Sequence, residues 1–128
     1  MNEMFEVRTE TADEPAHGAS LVPITHDGVK SFADRADMAA GLLKALGHEG
    51  RLLILCYLCE GEKSVTELEN LLDQRQAAVS QQLSRLRYEG LVRPRRDGKT
   101  MFYSLADARL KPILELVYRT FSPQLHAV

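Results

Sequence analysis

Residues 77–105 read AAVSQQLSRLRYEGLVRPRRDGKTMFYSL, and within this stretch a helical period gives way to a strand-like one. Val79, Leu83 and Leu86 fall at i, i+4 and i+7, which gives a helix one apolar edge. Gln76, Ala77, Ser80, Gln81, Ser84 and Arg85 then lie on or near the other face, and Gly90 ends the run. Beyond it, two short runs flank Asp97-Gly98, a dipeptide whose tolerance of positive φ suits a tight hairpin turn. Pro94 withholds one amide from the ladder, which fits an edge strand.

The segments on either side complete a helical frame. Just upstream, SVTEL offers a capping box, in which Ser64 accepts from the amide of Glu67 while Glu67 reaches back, so a short helix is expected over about 65–72. Residues 49–60 are apolar nearly all round (Leu52, Leu53, Ile54, Leu55, Cys56, Leu58), as in a central helix wrapped by others, and Gly61 breaks that run. From Val29, the apolar spacing of Phe32, Ala36, Ala39, Ala40, Leu43 and Leu46 predicts a first helix ending at Gly47. Leu110, Ile113, Leu114, Val117 and Phe121 predict a fifth, with Pro112 tolerated near its first turn. Residues 1–28 hold Pro15, Gly18, Pro23 and Gly28 with little periodicity and read as an acidic disordered leader. The domain organisation expected is therefore this leader, a domain over 29–122, and a C-terminal tail over 123–128.

Composition narrows the function. With 27% charged and 45% hydrophobic residues, no apolar run near the roughly 20 residues a span requires, and no secretory signal, the expectation is a cytoplasmic protein with no membrane partner. The net charge of −2 conceals an asymmetry. Residues 1–27 carry six acids against Arg8 alone, whereas residues 74–99 carry seven bases against Glu89 and Asp97. That basic patch coincides with the last helix-and-hairpin unit.

Two short helices joined by a tight turn, followed at once by a hairpin tipped with arginines, make a winged helix-turn-helix. The fold class expected is mainly α with a small β-hairpin: five helices, dimeric. Gln76, Ala77, Ser80, Gln81 and Gln82 are short or amide-bearing side chains suited to base edges in a major groove. Arg75, Arg85 and Arg87 suit phosphates, and Arg95, Arg96 and Lys99 on the hairpin suit the backbone or the minor groove. A solvated helix face and an ordinary charged surface are the alternatives for each set alone; their succession favours double-stranded DNA. Helices one and five carry more apolar surface than one small unit should expose, which a homodimer would bury. A twofold dimer sets its recognition helices roughly 34 Å apart and calls for an imperfect palindromic operator.

The segments LLKALGHEGRLLILCYL, SVTELENLL and AAVSQQLSRLRYEGLVRPRRDGKTMFYSL resemble the ArsR-type (SmtB/ArsR) bacterial repressors across about residues 36–121. The resemblance implies a homodimeric winged-helix repressor, released from its operator when an inducer binds or modifies it. Gln82 stands where many members carry His, which bears on operator preference. Metal sensors of the family place Cys-x-Cys where this chain has Ser64 and Thr66, and hydroxyls there lack the soft thiolates such metals require. Residues 107–122 hold no His for the family's other metal site, and His17, His26, His48 and His126 make no ligand spacing. No metal and no cofactor is expected.

The two cysteines, Cys56 and Cys59, are too few for a disulfide framework. RLLILCYL resembles the subgroup of sulfide- or redox-responsive repressors associated with biofilm growth, sulfide oxidation and haemolysin control. There a cysteine matching Cys56 pairs with one near the end of the last helix, and in this chain the matching position is Ser122. Serine is the usual isosteric replacement for cysteine, so the exchange is either engineered or natural; if natural, the switch is lost or Cys59 substitutes. The resemblance thus implies a reactive-sulfur species or an oxidant as inducer. Two alternatives stand beside it: both thiols are small buried hydrophobes in a repressor with another inducer or none, or Cys56-Tyr57-Leu58-Cys59 is an oxidoreductase motif. The latter is disfavoured, since such a motif should open a helix after a strand, and no strand precedes Leu52. A winged helix used only for protein contacts is argued against by the wing arginines. The chain is not expected to be an enzyme.

Overall fold

The computed structural model describes residues 22–126, which divide between Asp37 and Met38 into two compact units. The first holds α1 (His26–Phe32) and a 3-10 turn over Ala33–Arg35. Thr25 caps α1 by accepting from the Gly28 amide at 3.0 Å, and Asp27 sits in the first turn, where the helix dipole favours an acid. The helix therefore starts at His26, inside the stretch read as leader, and Gly28 lies in its first turn. The rest of the leader, residues 1–21, falls outside the described residues. The continuous first helix expected from Val29 to Leu46 is instead two α-helices joined by the 3-10 turn, the second being α2 (Ala36–Leu46).

From Met38 onward, α2 is followed by α3 (Glu49–Leu58), β1 (Lys63–Ser64), α4 (Val65–Leu72), α5 (Gln76–Tyr88), β2 (Val92–Asp97), β3 (Thr100–Leu105), α6 (Leu110–Phe121) and α7 (Pro123–His126). The short α7 occupies part of the stretch expected to be a plain tail. α3 packs against α4, α5, α6 and β3, the central position its all-round apolarity requires. Ile54, Leu55 and Leu58 of α3, Leu68 of α4, Val79, Leu83 and Leu86 of α5, Val92, and Leu110 and Leu114 of α6 form one buried core.

The capping box is present: the Glu67 amide donates to Ser64 Oγ at 3.0 Å and the Ser64 amide to Glu67 Oε1 at 2.8 Å. Asp73, left-handed at φ 54°, ends α4 and turns the chain into α5. The sheet is antiparallel in the order β1-β3-β2, so β2 with Pro94 is an edge strand. Asp97 pairs with Thr100, which makes Gly98-Lys99 the two central turn residues, one position beyond the expected Asp97-Gly98. Gly98 has φ 65° and Lys99 does not share the positive sign, the pattern of a type II′ turn with glycine first. β1 was not anticipated; two residues are too few to show an alternation.

Candidate nucleic-acid interface and thiol groove

The burial of Val79, Leu83 and Leu86 fixes which side of α5 faces out. Ala77, Gln81, Ser84 and Tyr88, spaced at i, i+4, i+7 and i+11, are all exposed along the opposite side. Tyr88 was missed by sequence reasoning although the same period reaches it, and it is 85% exposed. Gln76 and Arg75 are exposed at the start of the helix, and Ser80 is half-buried beside the outer row. Arg75 is the N-cap and makes no side-chain cap bond, and its carbonyl accepts from the Ala78 and Val79 amides at 3.0 and 3.1 Å.

Gln82 stands apart from the other candidate base readers. It is half-buried, on the side of α5 next to α3, and its Oε1 accepts from Arg51 Nη1 at 3.4 Å. Arg51 also donates through Nε to the Ala45 carbonyl at 2.9 Å, which places a cation at the C-terminus of α2. His48 caps α3, its Nδ1 accepting from the Gly50 and Arg51 amides at 3.1 and 3.4 Å. His48 is thus a structural cap and Gln82 a contact between helices.

The six candidate phosphate cations also divide. Arg85 Nε lies 3.0 Å from Glu89 Oε2, an i,i+4 pair on the helix surface. Arg95 is held by both oxygens of Glu62, at 2.9 and 2.8 Å, and its guanidinium sits 4.8 Å from the centroid of the Phe102 ring. That hydrogen bonding holds the Glu62 carboxyl below its ordinary range and raises the Arg95 guanidinium further. Arg75, Arg87, Arg96 and Lys99 are exposed and, among the described residues, have no ion-pair partner. The structure therefore leaves four of the six cations without an ion-pair partner among the described residues and sets Arg85 and Arg95 beside acids of the chain itself.

Cys56 and Cys59 are half-buried and not joined to each other by a disulfide. They line an open groove of about 470 Å³ between α3 and α6, together with Leu53, Tyr57, Glu60, Leu114, Glu115 and Tyr118. Burial pushes both thiols up, and Cys59 is raised further by Cys56 and Glu115 while Lys111 pulls the other way. Ser122 ends α6; it is buried, its Oγ hydrogen-bonds Gln124 Oε1 at 2.7 Å, and it is not among the groove's lining residues. Among the described residues no three His, Cys, Asp or Glu side chains cluster in a way that could hold a metal ion, and no helix is long and apolar enough to cross a membrane.

The family model "Bacterial regulatory protein, arsR family" matches residues 48–93, from the cap of α3 into β2. A Biofilm growth-associated repressor of Agrobacterium fabrum is 47% identical over 113 residues, covering 88% of this chain and 92% of that protein. The Transcriptional activator HlyU of Vibrio cholerae is 45% identical over 83 residues, 65% of this chain and 77% of HlyU. Among solved structures, reduced HlyU from Vibrio cholerae superposes with a TM-score of 0.68 at 40% identity, covering 73% of this chain and 98% of that one. The transcriptional repressor BigR from Xylella fastidiosa gives 0.68 at 39% identity, covering 77% and 97%. A homodimeric winged helix-turn-helix DNA-binding domain from Mycobacterium bovis gives 0.64 at 26% identity, covering 84% and 96%.

Proposed function

Given that the chain belongs to the ArsR family of bacterial regulatory proteins, which are DNA-binding transcription regulators and not enzymes, we propose that it is a homodimeric repressor of an imperfect palindromic operator. One arrangement carries this: an outward row on α5 is followed at once by a wing whose tip bears Arg96 and Lys99 without ion-pair partners among the described residues. Gln81, with Gln76, Ala77 and Ser80 beside it, reads base edges. Arg75, Arg87, Arg96 and Lys99 neutralise phosphates. The dimer forms through apolar side chains that a lone protomer leaves exposed, among them Leu43, Leu116 and Phe121.

The inducer is a reactive-sulfur species or an oxidant acting at Cys56, as the resemblance of RLLILCYL to the sulfide- or redox-responsive subgroup implies. Support comes from the groove, which leaves both thiols half-exposed to a small molecule. A second reading, a repressor without a thiol switch, is favoured by two other observations: burial raises both thiols, whereas reactive cysteines have lowered values, and a serine fills position 122. Binding to a palindromic duplex, by this chain and by Ser122→Cys, with and without an organic persulfide and followed by intact mass, separates the two. A crosslink and DNA release confined to Ser122→Cys identifies Cys56 as half of a disabled two-thiol switch. A response by the chain as it stands assigns sensing to Cys59 or to Cys56 alone, and silence from both proteins supports the second reading.

A further inference from the structure

Glu62 immediately precedes β1, Phe102 lies on the central strand β3, and Arg95 lies on the edge strand β2. The register places Ser64 opposite Phe102 and Phe102 opposite Arg95, so these side chains span the whole width of the sheet. Arg95 donates through Nε and Nη2 to the two oxygens of Glu62, a fork-to-fork geometry, while its guanidinium lies over Phe102. Ser64, two residues beyond Glu62, is the cap of α4, the first helix of the helix-turn-helix. The clamp therefore joins the wing to the backbone segment from which α4 departs.

We propose that Arg95 is a positioning residue and not a phosphate contact: clamped by Glu62 and stacked on Phe102, it fixes the wing relative to the helix-turn-helix so that Arg96 and Lys99 at the tip reach the DNA backbone together with α5. The inference rests on the DNA-binding reading above. Successive residues of a strand point to opposite faces, so Arg95 and Arg96 have different surroundings although adjacent in sequence. Arg95 faces an acid of its own chain, and Arg96 meets none among the described residues. A lone exposed ion pair fixes little, but a bidentate pair combined with a ring contact across three strands restricts the side chain in several directions at once.

The test uses the full chain and a mixed-sequence duplex long enough for a dimer, with affinity followed against salt for the unaltered chain, Glu62→Gln, Arg95→Lys and the double variant. Glu62→Gln removes a negative charge, so simple electrostatics predicts tighter binding. The clamp predicts the opposite, binding weakened about threefold to tenfold with two clamps per dimer, and a shallower salt dependence as the wing tip disengages. Arg95→Lys keeps the charge but not the fork and is expected to match that loss, with the double variant no worse than either single one. Thermal unfolding of each variant confirms that the fold persists. Tighter binding by Glu62→Gln, unaltered binding by either single variant, or additive losses would overturn the proposal. If the unaltered chain itself shows no salt-dependent duplex binding, it is the DNA-binding reading that fails.

Discussion

The division of the cations into paired and unpaired sets fixes a salt dependence. Arg75, Arg87, Arg96 and Lys99 give four exposed cations per protomer without ion-pair partners among the described residues, hence eight in a dimer. At about 0.9 counterions released per neutralised phosphate, log affinity should fall against log salt with a slope of about −7. Between about 50 and 200 mM salt that amounts to roughly four orders of magnitude in affinity. Arg96→Ala removes one contact per protomer and should bring the slope to about −5 on any sequence. Arg85→Ala should change the slope less than Arg96→Ala does, because Glu89 at 3.0 Å offsets part of that charge. Fluorescence anisotropy with a labelled duplex at several salt concentrations measures all three proteins. A slope shallower than about −3 for the unaltered chain, or equal losses for Arg85→Ala and Arg96→Ala, would refute the reasoning.

The remaining predictions address the helix faces, the cap and the thiols. Gln81→Ala should change which sequences are enriched from a randomised duplex library, while Gln82→Ala, at the Arg51 contact, should leave the preferred sequence intact; matching shifts in preference would contradict the placement of Gln82. Ser64→Ala removes a buried hydroxyl that accepts from the Glu67 amide and should cost about 1–2 kcal/mol in urea unfolding, since α4 is short and depends on its cap; a loss below about 0.3 kcal/mol would show the box to be dispensable. Because burial raises both thiols, alkylation of Cys56 and Cys59 should be slower at pH 7 than for a free cysteine and should keep rising beyond pH 9. A rate that levels off below pH 8 would reveal a stabilised thiolate and strengthen the thiol-switch reading.

What could be read from the sequence is what short-range chemistry decides. The third helix appears at Val65–Leu72 as expected, because Ser64 and Glu67 cap it within a single turn. The outer face of α5 follows from three apolar residues at helical spacing, and the same arithmetic carried one step further reaches Tyr88. Errors arise where a distant partner or an overlooked cap decides. The hairpin turn sits one residue later than its Asp-Gly signal because Asp97 pairs across the sheet with Thr100. The helix over residues 26–32 begins three residues ahead of the expected Val29, because Thr25 caps it and Gly28 falls within its first turn.

The candidate interface exposes the same limit at the level of single charges. Arg95 and Arg96 are indistinguishable in the string RPRRDG, yet one is bound to Glu62, 33 residues away, and the other is not. Gln81 and Gln82 are likewise adjacent and identical, yet the second accepts a bond from Arg51, 31 residues away. Residue type and order therefore suffice to recognise a DNA-binding unit, since any basic hairpin after a polar-faced helix presents the required field. They do not say which side chains are unpaired before the duplex arrives, because each intrachain partner competes for one candidate. The consequence is quantitative: a salt slope counted from sequence would include six cations per protomer, whereas the folded chain leaves four without an ion-pair partner among the described residues. A measured slope near −7 and not near −11 is the difference between those two counts.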